Sequence, residues 1–258
     1  MTAAPPYAPP HNLLAGKRVV ITAAAGTGIG SATARRCLEE GARVVISDAH
    51  ERRLAATADE LAKYGAKPLA VPCDVTREAD IENLLERATT QLGGIDVLIN
   101  NAGLGGTANV VEMTDEQWAR VLDVTLTGTF RCVRAALKRM ISQKAGIIVN
   151  NASVLGWRAQ PGQAHYAAAK AGVMALTRCA AIEAAPHGIR INAVSPSIAV
   201  HPFLAKVTTP ELLDSLAARE AFGRAAEPWE VANVIVFLAS DYATYMTGEC
   251  VSVSSQHA

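Results

Sequence analysis

Neither sign of charge predominates in this 258-residue chain, where 24 Lys and Arg residues balance 24 Asp and Glu. Without a basic excess there is no electrostatic bias toward nucleic acid, and none is expected as a partner. Half the residues are hydrophobic, yet no uninterrupted apolar stretch approaches the length that spans a bilayer, so no membrane partner is expected either. The five cysteines (Cys37, Cys73, Cys132, Cys179 and Cys250) are scattered, with no Cys-x-x-Cys and no paired histidine spacing. That pattern offers no metal site and fits reduced thiols in a cytoplasmic protein. The first twelve residues carry Pro5, Pro6, Pro9 and Pro10 but lack the charged, apolar and cleavage segments of a signal peptide. They read as a flexible arm, disordered or laid on a neighbouring subunit.

What is present is a regular alternation of apolar runs with helical patterns. Strands are expected at Val19–Thr22, Arg43–Ser47, Pro68–Cys73, Val97–Asn100, Gly146–Asn150, Arg190–Ser195 and Cys250–Val253. Helices are expected at Ser31–Glu40, Glu51–Tyr64, Arg77–Leu92, Asp115–Met140, Tyr166–Ala185 and Pro228–Ser240. Repeated β-α-β units build a parallel sheet, and strands without polar alternation imply helices on both faces. The expected fold is α/β: a Rossmann-like, doubly wound, mainly parallel seven-stranded sheet. Residues 13–258 are expected to form a single domain, long enough for a full core. An irregular stretch at about residues 197–223, with Phe203, Leu204, Val207, Leu212, Leu213, Leu216 and Phe222, is expected to fold over the ligands at the strand C-termini.

Between the first strand and helix lies a glycine-rich turn, Gly26-Thr27-Gly28-Ile29-Gly30. Such a turn lets the backbone approach a pyrophosphate, which rests on the amides of the helix N-terminus. The second strand ends at Asp48, whose carboxylate suits both adenosine ribose hydroxyls and repels a 2′-phosphate. The cofactor expected from these residues is NAD.

Downstream stands Ser153-x12-Tyr166-x3-Lys170. A four-residue step in an Ala-rich helix puts Tyr166 and Lys170 on one face. An ammonium held there is expected to lower the phenol pKa, about 10 when unperturbed, so that tyrosine exchanges a proton with an alcohol or carbonyl oxygen. Ser153, at a strand end, is placed to hydrogen-bond the same oxygen. Trp157 and Arg158 follow it; Arg158 either lines the substrate entrance, pairing a carboxylate or phosphate, or makes a surface or subunit contact. His165 projects about 100° away from Tyr166 and reads as structural.

These segments, in order, resemble the short-chain dehydrogenase/reductase family over nearly the whole chain from about Leu13. The matching pieces are the glycine-rich turn, Asp48, Cys73-Asp74-Val75, Asn100-Asn101-Ala102-Gly103, the Ser-Tyr-Lys set and Asn192-Ala193-Val194-Ser195-Pro196. The resemblance implies that Asp74 and Val75 hold the adenine, and that Asn101, Ala102 and Gly103 line the cofactor cleft. It implies that Tyr166 is the acid/base and that Lys170 bonds the nicotinamide ribose. Pro196, Ala199 and His201 fall in the segment that faces the nicotinamide. The family also implies a homotetramer or homodimer, with contacts through the long helices and the C-terminal strand. The chain is similar, more narrowly, to actinobacterial members that act on ring hydroxyls of CoA-linked steroid fragments.

Departures from the family pattern are equally plain. Ala24 stands at the first glycine of the turn, Ser197 follows Pro196 where the family has glycine, and His201 replaces a threonine. Ser254-Ser255-Gln256 replaces Asp-Gly-Gly. Thr125 occupies the place of the asparagine that completes the family's proton relay, and is expected to position a water in a rearranged relay. The function expected is interconversion of a secondary alcohol and a ketone on a small-molecule substrate. The alternatives are a 3-oxoacyl reductase using NADPH, a non-catalytic dinucleotide-binding regulator, and a structural oligomer component.

Overall fold

The structure is a computed structural model in which residues 2–199 and 209–255 are described. Seven strands form one sheet in the order β3-β2-β1-β4-β5-β6-β7, and every pairing is parallel. They are β1 Arg18–Ile21, β2 Arg43–Asp48, β3 Leu69–Pro72, β4 Val97–Asn100, β5 Gly146–Asn151, β6 Ile189–Pro196 and β7 Cys250–Val253. The helices are α1 Ile29–Glu39, α2 Glu51–Leu61, α3 Glu78–Leu92, α4 Asp115–Leu122, α5 Gly128–Gln143, α6 Ala164–Ala184, α7 Pro210–Arg219 and α8 Pro228–Ala239.

The strands are apolar on both faces because each face is covered. On one side Val19, Ile21, Val44 and Ile46 pack with Ala34, Leu38, Leu54 and Ile235, under α1, α2 and α8. On the other Val20, Val45, Leu98 and Ile148 meet Leu84, Ala136, Met140 and Ala181, under α3, α5 and α6. Strand order reverses at β1, which lies between β2 and β4. At such a switch point the outgoing loops part and leave a crevice beyond the strand C-termini.

Two elements differ from expectation. The single helix expected over Asp115–Met140 is interrupted by a π-helical turn at Asp123–Thr127. Apolar periodicity does not register one inserted residue per turn, whereas a side chain drawn inward can hold it. The stretch expected to be irregular contains α7, whose Leu213 and Leu216 line the crevice. Phe203, Leu204, Val207 and His201 lie outside the described residues.

The arm makes defined contacts with its own chain. Arg36 donates to the carbonyls of Ala8 (2.6 Å) and Pro9 (3.0 Å) and pairs with Glu40 (2.6 Å). Glu40 accepts the amides of His11 (2.9 Å) and Leu13 (2.8 Å). Tyr7 hydrogen-bonds Glu39, lies edge-on to Trp229 at 5.3 Å and takes the Arg35 guanidinium over its ring at 4.5 Å. An arm rich in proline has few amides to satisfy, so a handful of anchors holds it.

Candidate active site

The glycine-rich turn leaves β1 with two left-handed residues, Ala23 (φ 50°) and Gly26 (φ 92°). Ala24, at the family's first glycine, is not one of them and is fully buried, so its methyl is accommodated. At Gly30 a Cβ would lie 2.4 Å from the Ala23 carbonyl oxygen and 2.5 Å from Asn101 Nδ2; only glycine permits that approach. The first turn of α1 has no side-chain cap and no acidic residue, leaving its amides and positive dipole end to an anion.

Asp48 ends β2 against this turn. Its carboxylate accepts the amides of His50 (2.9 Å) and Ala25 (3.3 Å), with Arg53 at 3.8 Å. Asp74 folds its own turn, accepting the amide and hydroxyl of Thr76 at 2.9 and 2.8 Å. Beyond β4, Thr22 Oγ1 accepts the amides of Asn101 (3.0 Å) and Ala102 (3.1 Å), while Asn101 Nδ2 donates to Ala23 O at 2.9 Å. Pro196 closes β6, and Ala199 bridges to Ala226.

Residues Gly26 to Gly30, Asp48, Asp74, Val75, Asn101 to Gly103, Pro196 and Ala199 all line one cleft of about 1540 Å³. Ser153, Tyr166 and Lys170 line it too. Single-ligand pockets are usually about 300–1,000 Å³, so this one has room for a dinucleotide and a second molecule together. Asn151 Oδ1 is buried there without a partner, a polar atom awaiting a ligand. The residues present therefore fit a nicotinamide dinucleotide, with the pyrophosphate at the N-terminus of α1 and the adenosine ribose at Asp48.

The Ser153, Tyr166 and Lys170 set is assembled from β5 and α6. Ser153 leaves β5 as the cap of a short 3₁₀ turn, Val154–Gly156, its Oγ accepting the Leu155 amide at 3.2 Å. Its hydroxyl faces the Tyr166 phenol and favours the ionised form of that group. Lys170, one turn on, donates from Nζ to Asn151 O at 2.5 Å and stands 5.5 Å from the centroid of the Tyr166 ring. The expected lowering of the phenol pKa is not found. Desolvation pushes Tyr166 up to about 12, against the opposing pull of the Ser153 hydroxyl. Burial brings Lys170 down to about 8, so its own charge is depleted as pH rises past neutrality.

Thr125 is brought here by the π turn, but its hydroxyl is spent on the main chain. It accepts the Leu104 amide at 2.9 Å and donates to the Leu104 carbonyl at 3.1 Å. That clamps the β4–α4 loop, a role beside the water-positioning one expected from sequence. His165 is buried and structural, its Nδ1 accepting the Tyr166 amide at 2.9 Å. Sequence reasoning missed Thr22, the Asn151 bridge to Asn101 Oδ1 (2.9 Å), and the buried ladder Asn100–Asn150–Thr177 that ties β4 and β5 to α6. Consecutive asparagines at a strand end were the available signal, since a buried amide needs partners. The described residues hold no cluster able to bind a metal ion.

A family model described as enoyl-(acyl carrier protein) reductase matches residues 23–255. The chain is 64% identical, over all of its length and 99% of the other's, to (5R,7aS)-5-hydroxy-7a-methyl-1-oxo-2,3,5,6,7,7a-hexahydro-1H-indene-carboxyl-CoA reductase of Mycobacterium tuberculosis. It is 41% identical to cis-4-hydroxycyclohexanecarboxylate dehydrogenase of Sinomonas cyclohexanicum, across 92% of this chain and 95% of that one. A crystal structure of a short chain dehydrogenase from Mycobacterium smegmatis superposes with a TM-score of 0.89 at 59% identity, covering 99% of both chains. The chain belongs to the short-chain dehydrogenase/reductase family and is an oxidoreductase.

Proposed function

We propose that this short-chain dehydrogenase/reductase uses NAD to interconvert a secondary alcohol and a ketone on an alicyclic ring borne by a coenzyme A thioester. The observation that carries the reading is Tyr166 beside Ser153 and Lys170 on the wall of a cleft with room for two ligands. The names of the relatives supply the substrate class, since one acts on a fused-ring acyl-CoA and another on a hydroxycyclohexane acid.

The dinucleotide, when bound, supplies the hydride donor or acceptor at its nicotinamide. The chain's own residues handle the oxygen. In reduction, Tyr166 donates its proton to the carbonyl oxygen as negative charge develops, and Ser153 donates a second hydrogen bond to that oxygen. In oxidation the same groups act in reverse, with Tyr166 receiving the alcohol proton. Lys170, which donates to Asn151 O, would hydrogen-bond the nicotinamide ribose when the dinucleotide is bound.

NAD is favoured because Asp48 stands where a 2′-phosphate would meet its charge, and its carboxylate is fixed by two amides. Steady-state kcat/KM with both cofactors tests this. A preference for NAD of at least about a hundredfold, or ~2.7 kcal/mol, is expected, shrinking in Asp48→Ala; a wild-type preference for NADP would reverse the assignment. A parallel comparison of ring-hydroxy acyl-CoA esters with straight-chain 3-oxoacyl thioesters tests the substrate class. Higher kcat/KM on the straight chains would favour the acyl-reductase alternative. Assembly as a dimer or tetramer, read by sedimentation, is supported by exposed Phe130 on α5, Ile182 on α6, and Tyr242 and Tyr245 after α8. The five free thiols fit the cytoplasm, and no helix among the described residues is long and apolar enough to cross a membrane.

A further inference from the structure

We infer that Arg120, Arg158 and Arg219 form a binding site for the phosphates of the coenzyme A portion of the substrate. The inference rests on the acyl-CoA reading above. The three residues come from different walls of the same cleft: Arg120 from the last turn of α4, Arg158 from the segment after the Ser153 turn, and Arg219 from the end of α7. Among the described residues, none of these guanidiniums donates a hydrogen bond or forms an ion pair, whereas Arg53, which also lines the cleft, is paired with Asp48. An unpaired guanidinium presents a fork of donors that matches a phosphate two oxygens at a time.

The charges along the cleft are unevenly shared. Asp48 and Asp74 lie at the adenosine end, and their carboxylates are held by main-chain amides. The acids that line the cleft nearer the arginines are already engaged. Asp123 pairs with Arg131 at 2.8 Å, and Glu220 accepts the Ser255 hydroxyl at 3.0 Å. Glu220 keeps its negative charge under that neutral donor, yet three guanidiniums against this one carboxylate leave the substrate side positive, while the Tyr166 ring lies against Gly105 on the same cleft. A ring thioester seated on Tyr166 would run its pantetheine arm outward and bring the pyrophosphate and 3′-phosphate to the arginines. Uncharged ring alcohols would gain nothing from them.

The test separates phosphate binding from turnover. Calorimetry on protein saturated with the nicotinamide cofactor, so that the nucleotide end is filled, compares free coenzyme A with pantetheine. Coenzyme A is expected to bind at least about tenfold tighter, with the advantage fading as salt rises. Each of Arg120→Gln, Arg158→Gln and Arg219→Gln should weaken coenzyme A roughly three- to tenfold and pantetheine less than about twofold. Equal affinity for the two probes, or equal losses on both in the variants, would overturn the site. Kinetics with a ring-hydroxy acyl-CoA and its pantetheine thioester then address the reading beneath it. Phosphate-dependent binding with turnover confined to free alcohols would keep the arginine site and discard the acyl-CoA function. Turnover of both thioesters with identical KM in all variants would discard the site alone.

Discussion

Burial that raises Tyr166 to about 12 keeps the phenol protonated at neutral pH, in the form that donates to a ketone oxygen. Tyr166→Phe should lose about 10²- to 10⁴-fold in kcat, while the cofactor dissociation constant from fluorescence titration stays near wild type. A variant within tenfold of wild-type turnover would take Tyr166 out of the proton path. Lys170 carries a stability signature of its own. Its pKa is about 8 folded against 10.5 as an unperturbed lysine. Below pH 8 both states hold the proton, and burying the charge costs stability. From about pH 8 to 10.5 the unfolded chain binds more protons than the folded one, so stability rises with pH and then levels. Over that window the gain approaches ~3 kcal/mol. Urea titrations of wild type and Lys170→Met should show this rise in wild type alone; parallel curves would mean that Lys170 is not desolvated.

The π turn at Asp123–Thr127 shows how one element sets another. By pulling Thr125 inward it gives the Leu104 amide and carbonyl a partner each, and the loop they hold runs into the cleft wall at Gly105 and Gly106. Thr125→Val keeps the shape but leaves both half-buried main-chain groups without this partner, at a cost of about 1–3 kcal/mol. It should therefore lower the unfolding midpoint and raise KM, and Thr125→Ser should restore both. A Val variant that kept its stability and KM but shifted the pH dependence of kcat would instead return Thr125 to the proton relay. The helical register around Thr125 was legible from apolar spacing, but the extra residue was not, because its cause is a main-chain partner 21 positions away.

At the scale of the molecule, the N-terminal arm is tied to α1, the helix that follows the glycine-rich turn. Removing residues 1–12 takes partners from Arg36 and Glu40, which are buried on α1 and beside its end, and removes Tyr7 from between Arg35 and Trp229. The truncated protein should be less stable by about 2–4 kcal/mol, seen as an earlier urea midpoint. An unchanged midpoint would return the arm to the disordered state that its prolines suggested.

The sheet and the gathering of the glycine-rich turn and Asp48 on one cleft could be read directly from residues because their causes are local. Apolar runs the length of a strand, glycines between strand and helix, and a carboxylate at a strand tip act within a few positions of where they stand. Tyr166 and Lys170 were legible for the same reason, one helical turn apart. The electrostatic balance at Tyr166, the clamp at Leu104, the docking of the arm and the gathering of Arg120, Arg158 and Arg219 were decided only by the tertiary structure. Each depends on how far water is excluded or on which distant segment arrives alongside, and the order of residues along a chain specifies neither until the sheet has closed around its core.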